Sequence, residues 1–412
     1  MKTTTSRPRL FVSAAPVVSV LAACLAGSQA AARAQDAVPV PVAGAALKPA
    51  VSIEWQPRTL TLVHGGGGFG RMVRLRSGEL LCSFGAAGKV WVRRSVDNGA
   101  SWQEPVQVAA WPYGGLANAS LLQLSDGLLL CFYNERPRRA RPKAGEPVVA
   151  NTHPFAISMA RSADGGRTWQ APATLYQAGT EPSNGCWEPS AVQLPSGEVQ
   201  LFFANEGPYR ASDEQEITLL RSQDGARTWS APQAASFRKG SRDGMPVPLV
   251  LRDARGAATG IAVAIEDNGL SGTFKPVIVW ASLDENWRSG AVGAASPNRW
   301  GALEKPLPAV AYAGAPFLRQ LPGGETILAF QEDDRGDIEH ARILVGVGDA
   351  QARGFAGLAF PFPPTPGKNQ LWPSLFVKDA HTITALCETT INGAFGLWSI
   401  DGHLVREAAA NR

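Results

Sequence analysis

Nearly the same twelve residues occur three times in this chain: Arg94-Ser-Val-Asp-Asn-Gly-Ala-Ser-Trp-Gln-Glu-Pro105, Arg161-Ser-Ala-Asp-Gly-Gly-Arg-Thr-Trp-Gln-Ala-Pro172 and Arg221-Ser-Gln-Asp-Gly-Ala-Arg-Thr-Trp-Ser-Ala-Pro232. Ser, Asp, Ser or Thr, and Trp keep their offsets, and Gly follows the Asp by one or two residues. These residue types make a hairpin turn. The carboxylate accepts backbone N–H groups, Gly supplies positive φ, and the indole closes the hairpin by packing on a neighbouring element. A turn of this kind recurring every few tens of residues implies a radial array of short-stranded sheets. It constrains the fold and leaves the chemistry open.

The repeat resembles the Asp box of sialidase-like propellers, and the resemblance implies an all-β, six-bladed β-propeller of four-stranded blades with Asp-box turns. Six units can be laid out, each with an apolar first strand, a second strand ending in polar residues, and a third leading into the box. First strands open near Arg71, Ser120, Ser190, Pro246, Pro316 and Trp372. The fourth unit carries a worn box, Ser282-Leu-Asp-Glu-Asn-Trp287, and the sixth keeps half of one at Ser399-Ile-Asp-Gly402. The alternating stretch Ser52–Val63 is expected to close the ring beside the last blade, so that no sheet edge stays open. The propeller is thus expected over residues 52–409, after a linker at 35–51 rich in Ala, Val and Pro.

Residues 1–34 read as an export signal, with Lys2, Arg7 and Arg9 before an apolar run and Ala32-Arg33-Ala34 as the cleavage site. Leu21-Ala22-Ala23-Cys24 is a rival site that resembles a lipobox. Cleavage after residue 34 removes four basic residues and no acidic one, leaving 35 of each sign. A neutral mature chain gives no reason to expect nucleic acid as partner, or a membrane beyond a lipid on Cys24. The expected setting is periplasmic or extracellular, and the expected state a monomer. Cys82, Cys131, Cys186 and Cys387 form no Cys-x-x-Cys pair, so no metal or cofactor is expected. Cys82 and Cys131 read as core residues, although an oxidising compartment permits a disulfide.

In a blade of antiparallel strands, the Asp boxes share one face of the disc with the turns between first and second strands. The opposite face collects the starts of first strands and the ends of second strands. Arg71, Trp187, Glu188, Arg242 and Trp372 fall in the former group, and Asn134, Glu266, Asp267, Gln331 and Glu388 in the latter. Polar groups aimed at one axis suit an oligo- or polysaccharide, although strand ends are polar in any case. The sharpest cluster is Asn184-Gly-Cys-Trp-Glu-Pro-Ser190, where a Glu against apolar surface has the raised pKa a general acid needs and Trp187 can stack on a sugar. Glu266, at the end of an apolar strand, is its natural partner, and two such carboxylates can hydrolyse a glycoside.

Trp187-Glu-Pro189, Gly244-Met-Pro246, Gly314-Ala-Pro316 and Leu371-Trp-Pro-Ser-Leu375 together resemble the exo-α-1,5-L-arabinanases, glycoside hydrolase family 93, over Phe69 to Ile400. The resemblance implies exo-cleavage of arabinan with retention, Glu188 as acid/base and Glu266 as nucleophile. Arg71, Asn134, Trp187, Arg242, Asp267, Gln331 and Trp372 are expected as substrate contacts. A sialidase is the alternative, with Arg71 and Arg242 clamping a carboxylate. It lacks a late tyrosine, because the last one, Tyr312, precedes the fifth blade. A non-catalytic glycan-binding propeller is the third reading. The loop after Asn134, with Arg136, Arg138, Arg139, Arg141 and Lys143, is expected on the site face, as a solvated loop or as a wall that favours acidic substrates.

Overall fold

The computed structural model describes residues 51–138 and 152–406. The expected leader, residues 35–50 of the expected linker, and Arg139, Arg141 and Lys143 of the basic loop lie outside them, while Val51, expected in the linker, is the buried first residue of a strand. Six antiparallel sheets follow one another along the chain, five of four strands and a last of five. The first strands of the six blades are Gly68–Arg74, Gly114–Gln123, Cys186–Gln193, Asp243–Arg252, Tyr312–Gln320 and Gln370–Val377. Each touches the first strand of the next blade, and the sixth touches the first, which closes the ring. Apolar residues of facing sheets fill the spaces between blades, as with Phe132, Phe202, Phe203 and Phe330, all fully buried.

The N-terminal strands close the ring as expected. Val51–Trp55 pairs with Gly402–Arg406, and Thr61–Gly65 pairs with residues 396–399 of the same last strand, Ala394–Arg406. This pairing corrects the sixth half-box: Ser399–Gly402 runs inside a continuous thirteen-residue strand and makes no turn. Lys378 and Thr384 hold the Asp401 carboxylate instead, at 2.6 and 2.7 Å.

The three good boxes are built alike. Asp164 Oδ1 accepts the Ser162 hydroxyl at 2.7 Å and the Thr168 N–H at 2.9 Å, and Oδ2 accepts the Thr168 hydroxyl at 2.6 Å. Asp97 and Asp224 repeat the pattern. In the worn box Glu285 takes over, accepting the N–H groups of Trp287 and Ser289 at 2.9 and 2.7 Å. The boxes stand beside the turns between first and second strands, where Arg94 bonds Glu79 at 2.7 Å.

Every first strand carries a bulge near its start, and at each bulge one non-glycine residue has positive φ: Phe69, Asn118, Glu188, Met245, Ala315 and Trp372, all between 50° and 55°. Six left-handed residues at equivalent positions, each costing about 1–3 kcal/mol, mark a built feature. Phe69, Met245, Ala315 and Trp372 meet in one apolar cluster, although they come from blades one, four, five and six. The bulges therefore turn their side chains to the axis.

Candidate active site at the axial mouth

A second ring supports the first. The residue opposite the one before each left-handed position is Gly85, Asn134, Ala204, Glu266, Gln331 or Glu388, in blade order. Asn134, Glu266, Gln331 and Glu388, all expected at the ends of second strands, thus share one register position. Two side chains of this ring reach the left-handed residue of the following blade. Glu266 Oε2 accepts the Ala315 N–H at 2.7 Å, and Gln331 Oε1 accepts the Trp372 N–H at 2.8 Å. In blade three this position is Ala204, too short to reach the Met245 N–H of blade four. Glu188 accepts that N–H itself.

Glu188 and Glu266 thus stand on neighbouring blades, each held by the backbone of the blade after it. Burial pushes Glu188 up to about 8, helped by the negative charge of Glu266 and opposed by Arg136 and the Met245 N–H. Burial also pushes Glu266 up to about 7, opposed by the Ala315 N–H and by Arg242. Glu188 keeps some contact with solvent, yet protein surrounds it on most sides. A third carboxyl, Glu388, is raised to about 7 by burial alone. It lies over Gly68, where an added Cβ would stand 1.5 Å from its Oε2, so only glycine fits there.

Tyr312 corrects an expectation. A Cβ added to Gly314 would lie 2.4 Å from the Tyr312 hydroxyl and 2.6 Å from Glu266 Oε2, so both groups crowd the same spot. The hydroxyl accepts from Gln331 Nε2 at 2.7 Å. Burial and the charges of Glu266 and Glu188 raise its pKa. A tyrosine does reach the site, entering at the start of the fifth blade.

Arg136, expected in the basic loop, belongs to the site as well. Its guanidinium sits 5.2 Å from the Trp187 ring centroid, bonds the Asn118 amide oxygen, and favours the charged form of Glu188. Asn134 is fully buried between them. With its amide turned to satisfy its neighbours, its nitrogen donates to Asn118 Oδ1 at 2.6 Å and its oxygen accepts from Arg136 Nε at 3.0 Å. Arg242 bonds Glu206 and, at 2.7 Å, Gln215, close enough to Glu266 to favour its charge. Gln331 is spent at both ends, and the Trp372 ring lies 6.4 Å from Phe69.

Three expected substrate contacts face elsewhere. Asp267 is fully buried, its carboxylate taken by Arg299 at 2.6 Å, Arg238 at 3.0 Å and the Gly269 N–H at 2.7 Å. It ties the edge of blade four together. Trp187 packs edge-on against Phe155 at 4.9 Å and folds back over Gly185, so its ring fills the seam between blades. Arg71 lies past the bulge, stacked at 3.8 Å on Phe69 and 4.8 Å on Phe317, on the Asp-box side of the apolar cluster.

Fold and site together define a six-bladed propeller with two raised carboxyls on adjacent blades at its mouth. Residues 151–270 match the BNR repeat-like domain. No curated protein sequence matches the chain. Among solved structures, a Dyadobacter fermentans protein of unknown function aligns with TM-score 0.62 and 17% identity over 87% of this chain and 100% of that one. The α-L-arabinofuranosidase Arb93A of Fusarium graminearum gives 0.60 and 15% over 86% and 96%. The NanB sialidase of Streptococcus pneumoniae gives 0.55 and 14% over 83% and 70%. At these identities the likeness is one of fold.

Proposed function

We propose that this protein is an exo-acting retaining glycoside hydrolase that cleaves α-1,5-L-arabinan or a related plant polysaccharide side chain, exported by the leader at residues 1–34. The observation that carries this reading is the pair Glu188 and Glu266, held on adjacent blades by equivalent backbone bonds, with unequal raised pKa values of about 8 and about 7. The higher group is the acid. Glu188 gives its proton to the glycosidic oxygen as the C–O bond breaks, and Glu266, favoured as the anion by Ala315 and Arg242, bonds to the anomeric carbon. Glu188, now the carboxylate, takes a proton from water, whose oxygen displaces Glu266 from the sugar. The fold shared with a Fusarium arabinofuranosidase directs the choice of sugar. Incubation with linear arabinan and arabino-oligosaccharides, with the released sugar identified and its first-formed anomer read by NMR, tests it. No release from any arabinoside, or release with inversion, rejects the reading.

One observation favours a second reading, a sialidase: the Tyr312 hydroxyl beside Glu266 is placed as a nucleophile and its base would be. The position of Arg71 below the mouth and the occupied guanidiniums of Arg136 and Arg242 weigh against it. Tyr312→Phe separates the two. It leaves arabinoside turnover within about tenfold if Glu266 is the nucleophile, and abolishes turnover if the tyrosine is.

A further inference from the structure

Below the ring of left-handed residues, the first strands of blades one to five enclose an axial cavity of about 300 Å³. Its wall contains Arg71, Arg74, Arg319, Ser120 and Ser190, and among the described residues no Asp or Glu. Arg74 is occupied at the rim, bonding the carbonyls of Gly78 and Lys378 and the Asn98 amide. Arg71 and Arg319 are not. They stack on the same Phe317 ring, at 4.8 and 4.3 Å from its centroid. Their acceptors are only carbonyls: Gly70 at 2.9 Å and Trp372 at 3.5 Å for Arg71, and Leu318 at 2.8 Å for Arg319. Among the described residues neither forms an ion pair. A guanidinium offers five N–H donors, so most of theirs remain for the cavity.

Two guanidiniums on one ring, more than nine-tenths buried in the case of Arg71, repel each other unless an opposite charge intervenes. Burial and then the nearby Arg319 pull Arg71 down to about 9, against the opposing pull of Cys82 and Glu188, and burial pulls Arg319 down to about 10. Their planar forks suit the paired oxygens of a carboxylate or phosphate, and Ser120 and Ser190 add hydroxyl donors on the same wall.

We infer that the axial cavity is a binding site for a small oxyanion, a phosphate or a compact carboxylate, held between Arg71 and Arg319 on the Asp-box side of the apolar cluster. Neither Glu188 nor Glu266 lines the cavity, although Glu188 is near enough to favour the charge of Arg71, and the inference does not depend on the reaction proposed for the carboxyl pair. Isothermal titration of the full chain at pH 7 with inorganic phosphate and with malonate, against sodium chloride at matched ionic strength, tests it. Saturable one-to-one binding of either oxyanion supports the site, and which one binds identifies the source. Arg319→Gln should weaken that binding at least tenfold. Ser120→Val, which narrows the cavity and leaves both guanidiniums in place, should weaken it as well, and serves if the arginine variant does not fold. Absence of saturable binding by the unmodified chain, or binding that both variants leave unchanged, overturns the inference.

Discussion

The two faces of the disc use carboxylates in opposite ways. At the Asp boxes, Asp97 and Asp164 are exposed and Asp224 is half-buried, and hydroxyls and backbone N–H groups hold their charged forms. Bonds to Ser101 and Ser95 hold Asp97 down at about 2. At the mouth, Glu188 and Glu266 are enclosed by protein, and burial outweighs one backbone bond each, so both are raised. The partners of a box Asp lie within four residues of it, whereas Glu266 and its partner Ala315 are 49 residues apart. The chain stabilises charge where structure is local and repeated, and suppresses it where blades converge.

The sharpest break between the faces is in turnover. Glu188→Gln and Glu266→Gln should each lower kcat on an arabinoside by about 10²–10⁴-fold with the fold intact by circular dichroism, while Asp164→Ala leaves kcat of the folded protein unchanged. A Glu188→Gln variant with full activity on a substrate whose leaving group needs protonation would remove the acid assignment.

The pH dependence of the reaction comes next in size. Below about 7 Glu266 takes up a proton and loses its nucleophilic form, and above about 8 Glu188 loses the proton it must donate. The rate should follow a narrow bell between these values, falling about tenfold per pH unit on either side. The two limbs belong to the coupled pair. An optimum near pH 4 would mean that neither carboxyl is raised.

Stability should respond with opposite signs on the two faces. The pKa values of Glu188 and Glu266 lie above the unfolded value, so the stability they contribute is complete below about pH 4.5 and lost as pH rises through 7 and 8. Thermal melts of Glu188→Gln against the unmodified chain should coincide at pH 5 and diverge by pH 9, with the variant melting higher. The depressed Asp97 works the other way. Its contribution is present above the unfolded value and lost as pH falls through about 2.

The smallest effect expected is that of Asp164→Ala on folding. Loss of the turn bonds should lower the thermal midpoint by about 1–3 °C. A larger fall would show that the box also ties blades together, as the contact of Arg94 with Gly165 in the next box suggests.

Part of the site could be seen in the sequence. Pro189, Pro246, Pro316 and Pro373 each follow a left-handed residue, in blades three to six, and Glu188 was found through that setting. Blades one and two lack the proline, so Phe69 and Asn118 carried no such mark. Glu266 followed from an apolar strand ending in a carboxylate. The neighbouring Asp267 looked the same in sequence, but strand alternation turns it away from the axis and into Arg299 and Arg238. Arg136 was hidden because a run of basic residues reads as a solvated loop, and Tyr312 because its strand begins earlier than the Gly-Ala-Pro motif suggests.

By itself the sequence determined the repeat, the six blades, the closing N-terminal strand and the faces to which the boxes and polar strand ends belong. Those features rest on short-range bonds within a turn and on strand alternation, which a dozen residues specify. Only the tertiary structure decided which polar strand ends meet. Ring closure brings residues of different blades to one axis, and the register of each bulge fixes whether a side chain enters the mouth, the cavity beneath it or the seam between blades. Ala204 shows the reason most plainly: the Met245 N–H needs an acceptor, its own ring position cannot supply one, and Glu188 turns into that place.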